Sequence, residues 1–144
     1  MALNLFPESM MPVGEELSLD TIASKLFYFY IQLQVYHWQT PIYREHQILG
    51  DLYEFIDDRR DSIVENIMGR TGMRPMSVKV PPIDNYMLGC SLMVVENLST
   101  FGSQLKRYAD NNKMLGVSAI ADEIVGECDK TKYLLSLGGG RNGG

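Results

Sequence analysis

His37 and His46, the only two histidines of the chain, are followed closely by a run of carboxylates, Asp51, Glu54, Asp58, Asp61 and Glu65. Imidazole nitrogen with carboxylate oxygen is a donor mixture suited to iron, manganese or zinc. At roughly 100° per residue the five carboxylates fall within an arc of about 80° if their segment is helical, so they form one stripe. Asp61 and Glu65, one turn apart, can share one ion. The same stripe also fits a solvated helix face, because the apolar residues of the segment centre on its opposite side. Covered by a second subunit, it would require a cation or a basic partner, since buried carboxylates are too costly alone. His37, on the face of Leu33 and Tyr30, fits either a ligand or a hydrogen-bonded interior histidine. Trp38, Tyr36, Tyr43 and Tyr53 read as packing residues.

Other chemistries find less material. Cys90 and Cys128 lie far apart, each inside an apolar helical pattern, which predicts two buried thiols in a reducing compartment rather than a disulfide or a thiolate zinc site. A di-iron centre inside a helical bundle draws on Glu-x-x-His pairs. None is present: Met68 follows Glu65 at that spacing, Ser99 follows Glu96, Gly126 follows Glu123 and Lys130 follows Glu127. No catalytic residue separate from the metal candidates stands out.

The elements that must position these residues are helices. Ser18 is a good N-cap, and Leu19, Ile22, Ala23, Leu26, Tyr30, Leu33 and His37 follow at steps of three and four, predicting a first helix that ends before Pro41. A second begins at Tyr43 to Glu45 and runs through Leu49, Leu52, Ile56, Ile63 and Ile67 to stop signals at Gly69 and Gly72. Residues 71–84 carry three prolines and no helical period, which predicts a connection long enough to travel the length of a bundle. Asp84 is the expected cap of a third helix with Met87, Cys90, Val94, Leu98, Phe101, Leu105 and Tyr108 on its apolar face. A fourth follows Gly116 through Val117, Ile120, Ala121, Ile124, Cys128, Thr131 and Leu135. Helices joined short, long, short predict an all-α, ferritin-like four-helix bundle with a long crossover between helices two and three. The domain plan is an extended N-terminal arm over 1–16, the bundle over 17–137 and a flexible glycine-rich tail over 138–144.

Length and composition agree with one domain: 144 residues, 45% of them apolar. The formal net charge of -5 keeps such a chain soluble and repels phosphate backbones. The N-terminus lacks the basic and apolar regions of a signal peptide, and no apolar run reaches membrane-spanning length, so a cytoplasmic location is expected.

His37-Trp38-Gln39, a short corner with Pro41, His46, Leu52-Tyr53-Glu54 and Asp61-x-x-x-Glu65 together resemble the Dps family of mini-ferritins. The likeness is specific over the first two helices and topological over the other two. It implies a homo-oligomer, a hollow dodecamer-like shell whose iron-oxidising centre lies between subunits, the histidine corner of one facing the helix-two carboxylates of another. His37, His46, Asp61 and Glu65 match the family's ligand positions, and Trp38 matches the aromatic beside them. Iron(II), two ions per site, would give electrons to hydrogen peroxide or oxygen and be stored as iron(III). Two departures stand out. Gly50 occupies the position of a metal-binding Asp in the family, leaving Asp51 or Glu54 as substitute ligands, and the corner between the histidines is about three residues shorter. A non-catalytic ferritin-like scaffold is the alternative that these departures favour. Direct DNA binding is not expected, since the arm has no Lys or Arg before Lys25 and the tail has only Arg141.

Overall fold

The computed structural model describes residues 17–137 of the chain. These form four helices, α1 (Leu19–Gln39), α2 (Tyr43–Thr71), α3 (Cys90–Asn111) and α4 (Leu115–Ser136), with no strand among the described residues. The expected arm and tail lie outside them. No helix there is long and apolar enough to cross a membrane.

α1 begins as its sequence predicts: the Ser18 hydroxyl accepts from the Thr21 amide, and the Thr21 hydroxyl accepts from the Ser18 amide, a reciprocal capping box. It stops at Thr40, whose extended backbone (ψ 136°) precedes Pro41. α2 runs two residues past Gly69 and ends on Gly72, left-handed at φ 73°, with its N–H on the Met68 carbonyl.

The third helix starts later than its sequence suggests. Asp84 is not its cap: both backbone polar groups of Asp84 are taken by the side chain of buried Gln32, and the helix begins at Cys90 after Gly89 (φ 88°). Met87, expected on the apolar face, is consequently outside the helix and 54% exposed.

The connection between α2 and α3 lies along α1. Asp20 accepts from the Met76 amide, Ser24 from the Lys79 amide, Gln32 from the Asp84 amide and Gln39 from the Tyr86 amide. Both sequences of partners ascend, so the connection follows α1 in the same direction from one end to the other.

The core is the expected apolar set, with α1 packed mainly on α2 and α3 on α4. Phe29 and Leu33 of α1, Leu52, Ile56 and Ile63 of α2, Leu98 and Phe101 of α3 and Ile124 and Cys128 of α4 are fully buried or nearly so. The α2 stripe is interrupted at Arg59 and Arg60. Their guanidinium groups lie over rings instead, Arg59 on Phe55 at 3.7 Å and Arg60 on Tyr30 at 3.9 Å, so the alkyl stems pack while the charges stay at the edge. Both cysteines are buried free thiols, and burial pushes Cys128 up to about 12.

Candidate functional site

The end of α1 and the start of α2 are joined so tightly that the two histidines meet face to face. Their ring centroids are 3.9 Å apart and nearly parallel at 13°. His37 Nδ1 is 2.7 Å from the carbonyl oxygen of His46, and His46 Nδ1 is 2.8 Å from the carbonyl oxygen of His37. A carbonyl oxygen only accepts, so each Nδ1 carries the proton and each Nε2 keeps its lone pair in the neutral ring.

The stack continues beyond the pair. Tyr53 lies parallel to His37 at 6.4 Å, Tyr30 stacks on Tyr53 at 5.2 Å, and Tyr43 lies at 6.2 Å on the far side of His46. His37 rests on Gly50, where a Cβ would come within 2.8 Å of its Cε1. The corner is braced behind the rings. Glu45 accepts from the hydroxyls of Thr40 and Tyr86, and Arg44 donates to the Leu134 carbonyl at 2.9 Å. Burial, reinforced by the bond to Glu45, raises the Tyr86 phenol above its ordinary range.

In front of the histidines opens a cavity of about 400 Å³ whose wall includes His37, His46, Gly50, Asp51, Tyr53 and Glu54. Four of the six candidate metal residues therefore share one space. Asp61 and Glu65 do not join them within the chain: they are 15 and 19 residues beyond His46 on the same helix, about 22 and 28 Å along its axis. All five stripe carboxylates are exposed. Among the described residues no three His, Cys, Asp or Glu side chains gather closely enough to hold a metal ion.

Two expectations about the aromatics change. Tyr36 is buried and Tyr53 half-buried, as packing residues should be, but Trp38 is 68% and Tyr43 73% exposed. The seat that Gly50 gives the His37 ring and the Glu45–Tyr86 brace are site features that the motif, in which Gly50 figures only as a missing ligand, does not show. A glycine in mid-helix was the available signal, because it costs helix stability unless something needs its space.

No curated protein and no solved structure matches the chain. Residues 37–135, which begin at the first histidine and run through α4, match DUF5856, a family of unknown function. That span is well over half of the chain, and the protein belongs to this family.

Proposed function

We propose that the chain is a subunit of a ferritin-like, Dps-type homo-oligomer that binds and oxidises iron(II) between subunits and stores it as iron(III). The observation that carries this reading is the reciprocal pair of Nδ1–H···O=C bonds. Metal-ligating histidines characteristically donate one ring N–H to a carbonyl or carboxylate, which fixes the other nitrogen as a ligand and sets the ring's orientation. Here both imidazoles are prepared in that way beside two carboxylates. The connection that follows α1 from end to end supports the crossover topology of a ferritin-like bundle.

In this reading His37 and His46 present Nε2 donors, with Asp51 and Glu54 beside them and Asp61 and Glu65 arriving from a neighbouring copy. Iron(II) is substrate: two ions give two electrons to one peroxide, which takes up two protons and leaves as water. The carboxylates favour the more highly charged product ion electrostatically. Gly50 and Tyr53 seat the His37 ring, and the two carbonyls keep its partner nitrogen and that of His46 from donating elsewhere.

One observation favours the non-catalytic scaffold instead. The same reciprocal bonds staple α1 to α2, a structural role that needs no metal. Anaerobic iron(II) titration followed by peroxide separates the two. Saturable binding and a ferric absorbance are expected for the parent chain, both lost in a His37→Ala, Asp61→Ala variant. Parent binding no greater than that of the variant would leave only the scaffold.

A further inference from the structure

Tyr30 of α1 and Tyr53 of α2 stack with ring centroids 5.2 Å apart and planes inclined by 23°, and their hydroxyl oxygens are 3.5 Å apart. The oxygens are closer than the centroids, so the two rings converge toward their hydroxyl ends, where the carbons ortho to the oxygens lie. Both rings are half-buried, and Tyr53 forms part of the wall of the cavity of about 400 Å³, so the pair is open to attack from solvent.

The neighbours of this pair hold it in register and bring no further phenol against it. The Arg60 guanidinium, paired with Asp57 at 2.7 Å, covers Tyr30 at 3.9 Å, and His37 lies parallel to Tyr53 at 6.4 Å. Tyr43 is separated from Tyr53 by both imidazoles, and Tyr36 meets Tyr86 edge-on at 85° with its own ring fully buried. Among the described residues Tyr30 and Tyr53 are therefore the two phenols that face each other. The bond to Tyr30, with burial and the Asp57 carboxylate, raises the Tyr53 phenol above its ordinary range. Tyr53 is thus oxidised as the neutral phenol, losing an electron and the O–H proton together, and the nearby negative charge favours loss of the electron.

We propose that Tyr30 and Tyr53 are an oxidative modification site, where one-electron oxidants of the class that peroxides generate join the two rings as dityrosine and so staple α1 to α2. Each phenol gives up one electron and its O–H proton. The two radicals form one bond between ring carbons ortho to the oxygens, and the hydrogens on those carbons then pass to the oxygens, restoring both phenols. One peroxide accepts the two electrons and two protons and leaves as two waters. The chain loses two hydrogens and gains a covalent closure between residues 23 apart in sequence. Coupling within the chain outruns coupling between chains because the fold already holds the rings together. The closure restricts the unfolded chain and fixes the two helices one ring away from His37. None of this requires iron, so the inference stands apart from the proposed function.

The test uses the full chain in chelator-containing buffer, illuminated briefly with tris(bipyridine)ruthenium(II) and persulfate, which supply one-electron oxidants without iron. The expected product shows dityrosine emission, runs as a single chain in a denaturing gel, has lost the mass of two hydrogens and unfolds at higher urea than the parent. Trypsin should release residues 26–44 joined to residues 45–59, the latter containing Tyr53 as its sole tyrosine. The single-chain yield should not change on dilution of the protein. Tyr30→Phe and Tyr53→Phe each keep a stacked ring and should lower that yield roughly ten-fold or more, whereas Tyr133→Phe, at an exposed position, should leave it unchanged. Single-chain dityrosine that survives Tyr30→Phe would overturn the assignment. So would emission confined to cross-linked dimers, or tyrosine consumed without any dityrosine.

Discussion

The imidazole of His37 occupies the volume that a side chain on Gly50 would need: a Cβ there would lie 2.8 Å from Cε1 and 3.1 Å from Nδ1. The missing side chain at 50 and the short corner between the histidines are thus one arrangement. The short turn between α1 and α2 draws His37 onto α2, and α2 accepts it only where there is no Cβ. A metal-binding carboxylate at this position is incompatible with the ring where it stands.

Gly50→Ala tests that relationship with opposing terms. Alanine in a helix interior is favoured over glycine by about 1 kcal/mol. Displacing His37 breaks its bond to the His46 carbonyl and the ring stack, which costs about 2 kcal/mol together. The expected result in urea unfolding is a net loss of about 1 kcal/mol. A gain of about 1 kcal/mol would show that the ring does not need the space.

The tautomers are directly observable. Long-range proton–nitrogen correlation spectra of the metal-free protein, recorded at alkaline pH, should show both histidines as Nδ1–H tautomers, with His37→Gln shifting His46 because the two are bonded reciprocally. An Nε2–H tautomer at either ring would remove the donor arrangement on which metal binding depends.

Helix number, the order of the elements and nearly all of the core were legible because apolar spacing reports which side of a helix is buried, and Leu98, Phe101 and Leu105 are as buried as their period requires. The start of α3 was not. Asp84 has the chemistry of a cap, but Gln32, 52 residues away, claims its backbone, and no local pattern announces a partner at that distance. The histidines were legible as a pair with carboxylates near. Their stacking and reciprocal bonds were not, because these depend on the path of three residues between two helices. The exposure of Trp38 was missed for a related reason: an aromatic at the end of a helix has no neighbour one turn on to reveal which way it faces.

The grip of α1 on the long connection predicts an asymmetry between two glutamines. Gln32 is fully buried and makes bonds of 2.8 and 2.9 Å to the backbone of Asp84. Gln39, exposed, bonds to Asn85 and Tyr86. Gln32→Leu leaves an amide and a carbonyl without partners and should cost about 2 kcal/mol, with faster hydrogen exchange at the Asp84 amide. Gln39→Leu lets water replace the lost bonds and should stay within about 0.5 kcal/mol. Equal effects would mean that the connection is not held at Asp84.

Lys25 gives the fold a defined pH dependence. Its side chain has no exposure, and burial lowers its pKa to about 8, with Gln104 Oε1 at 3.5 Å. An unfolded lysine titrates near 10.4. Below pH 8 both states hold the proton and the penalty for burying charge is fully present. From there to about pH 10.4 the unfolded chain binds the extra proton, so stability rises with pH. The Cys128 thiol, held protonated up to about 12 by burial, works in the opposite direction once an unfolded thiol ionises, from about pH 8.5 upward. The rise attributable to Lys25 begins near pH 8, and because the buried thiols of Cys90 and Cys128 oppose it, it is read as the difference between parent and variant. Lys25→Met removes the charge while filling similar volume, and should stabilise the protein by on the order of 1–3 kcal/mol at pH 7 while flattening that rise. Urea midpoints at pH 7, 8 and 9 decide the matter: a variant less stable than the parent at pH 7, with the parent's slope retained, would show that the buried ammonium is compensated and imposes no penalty.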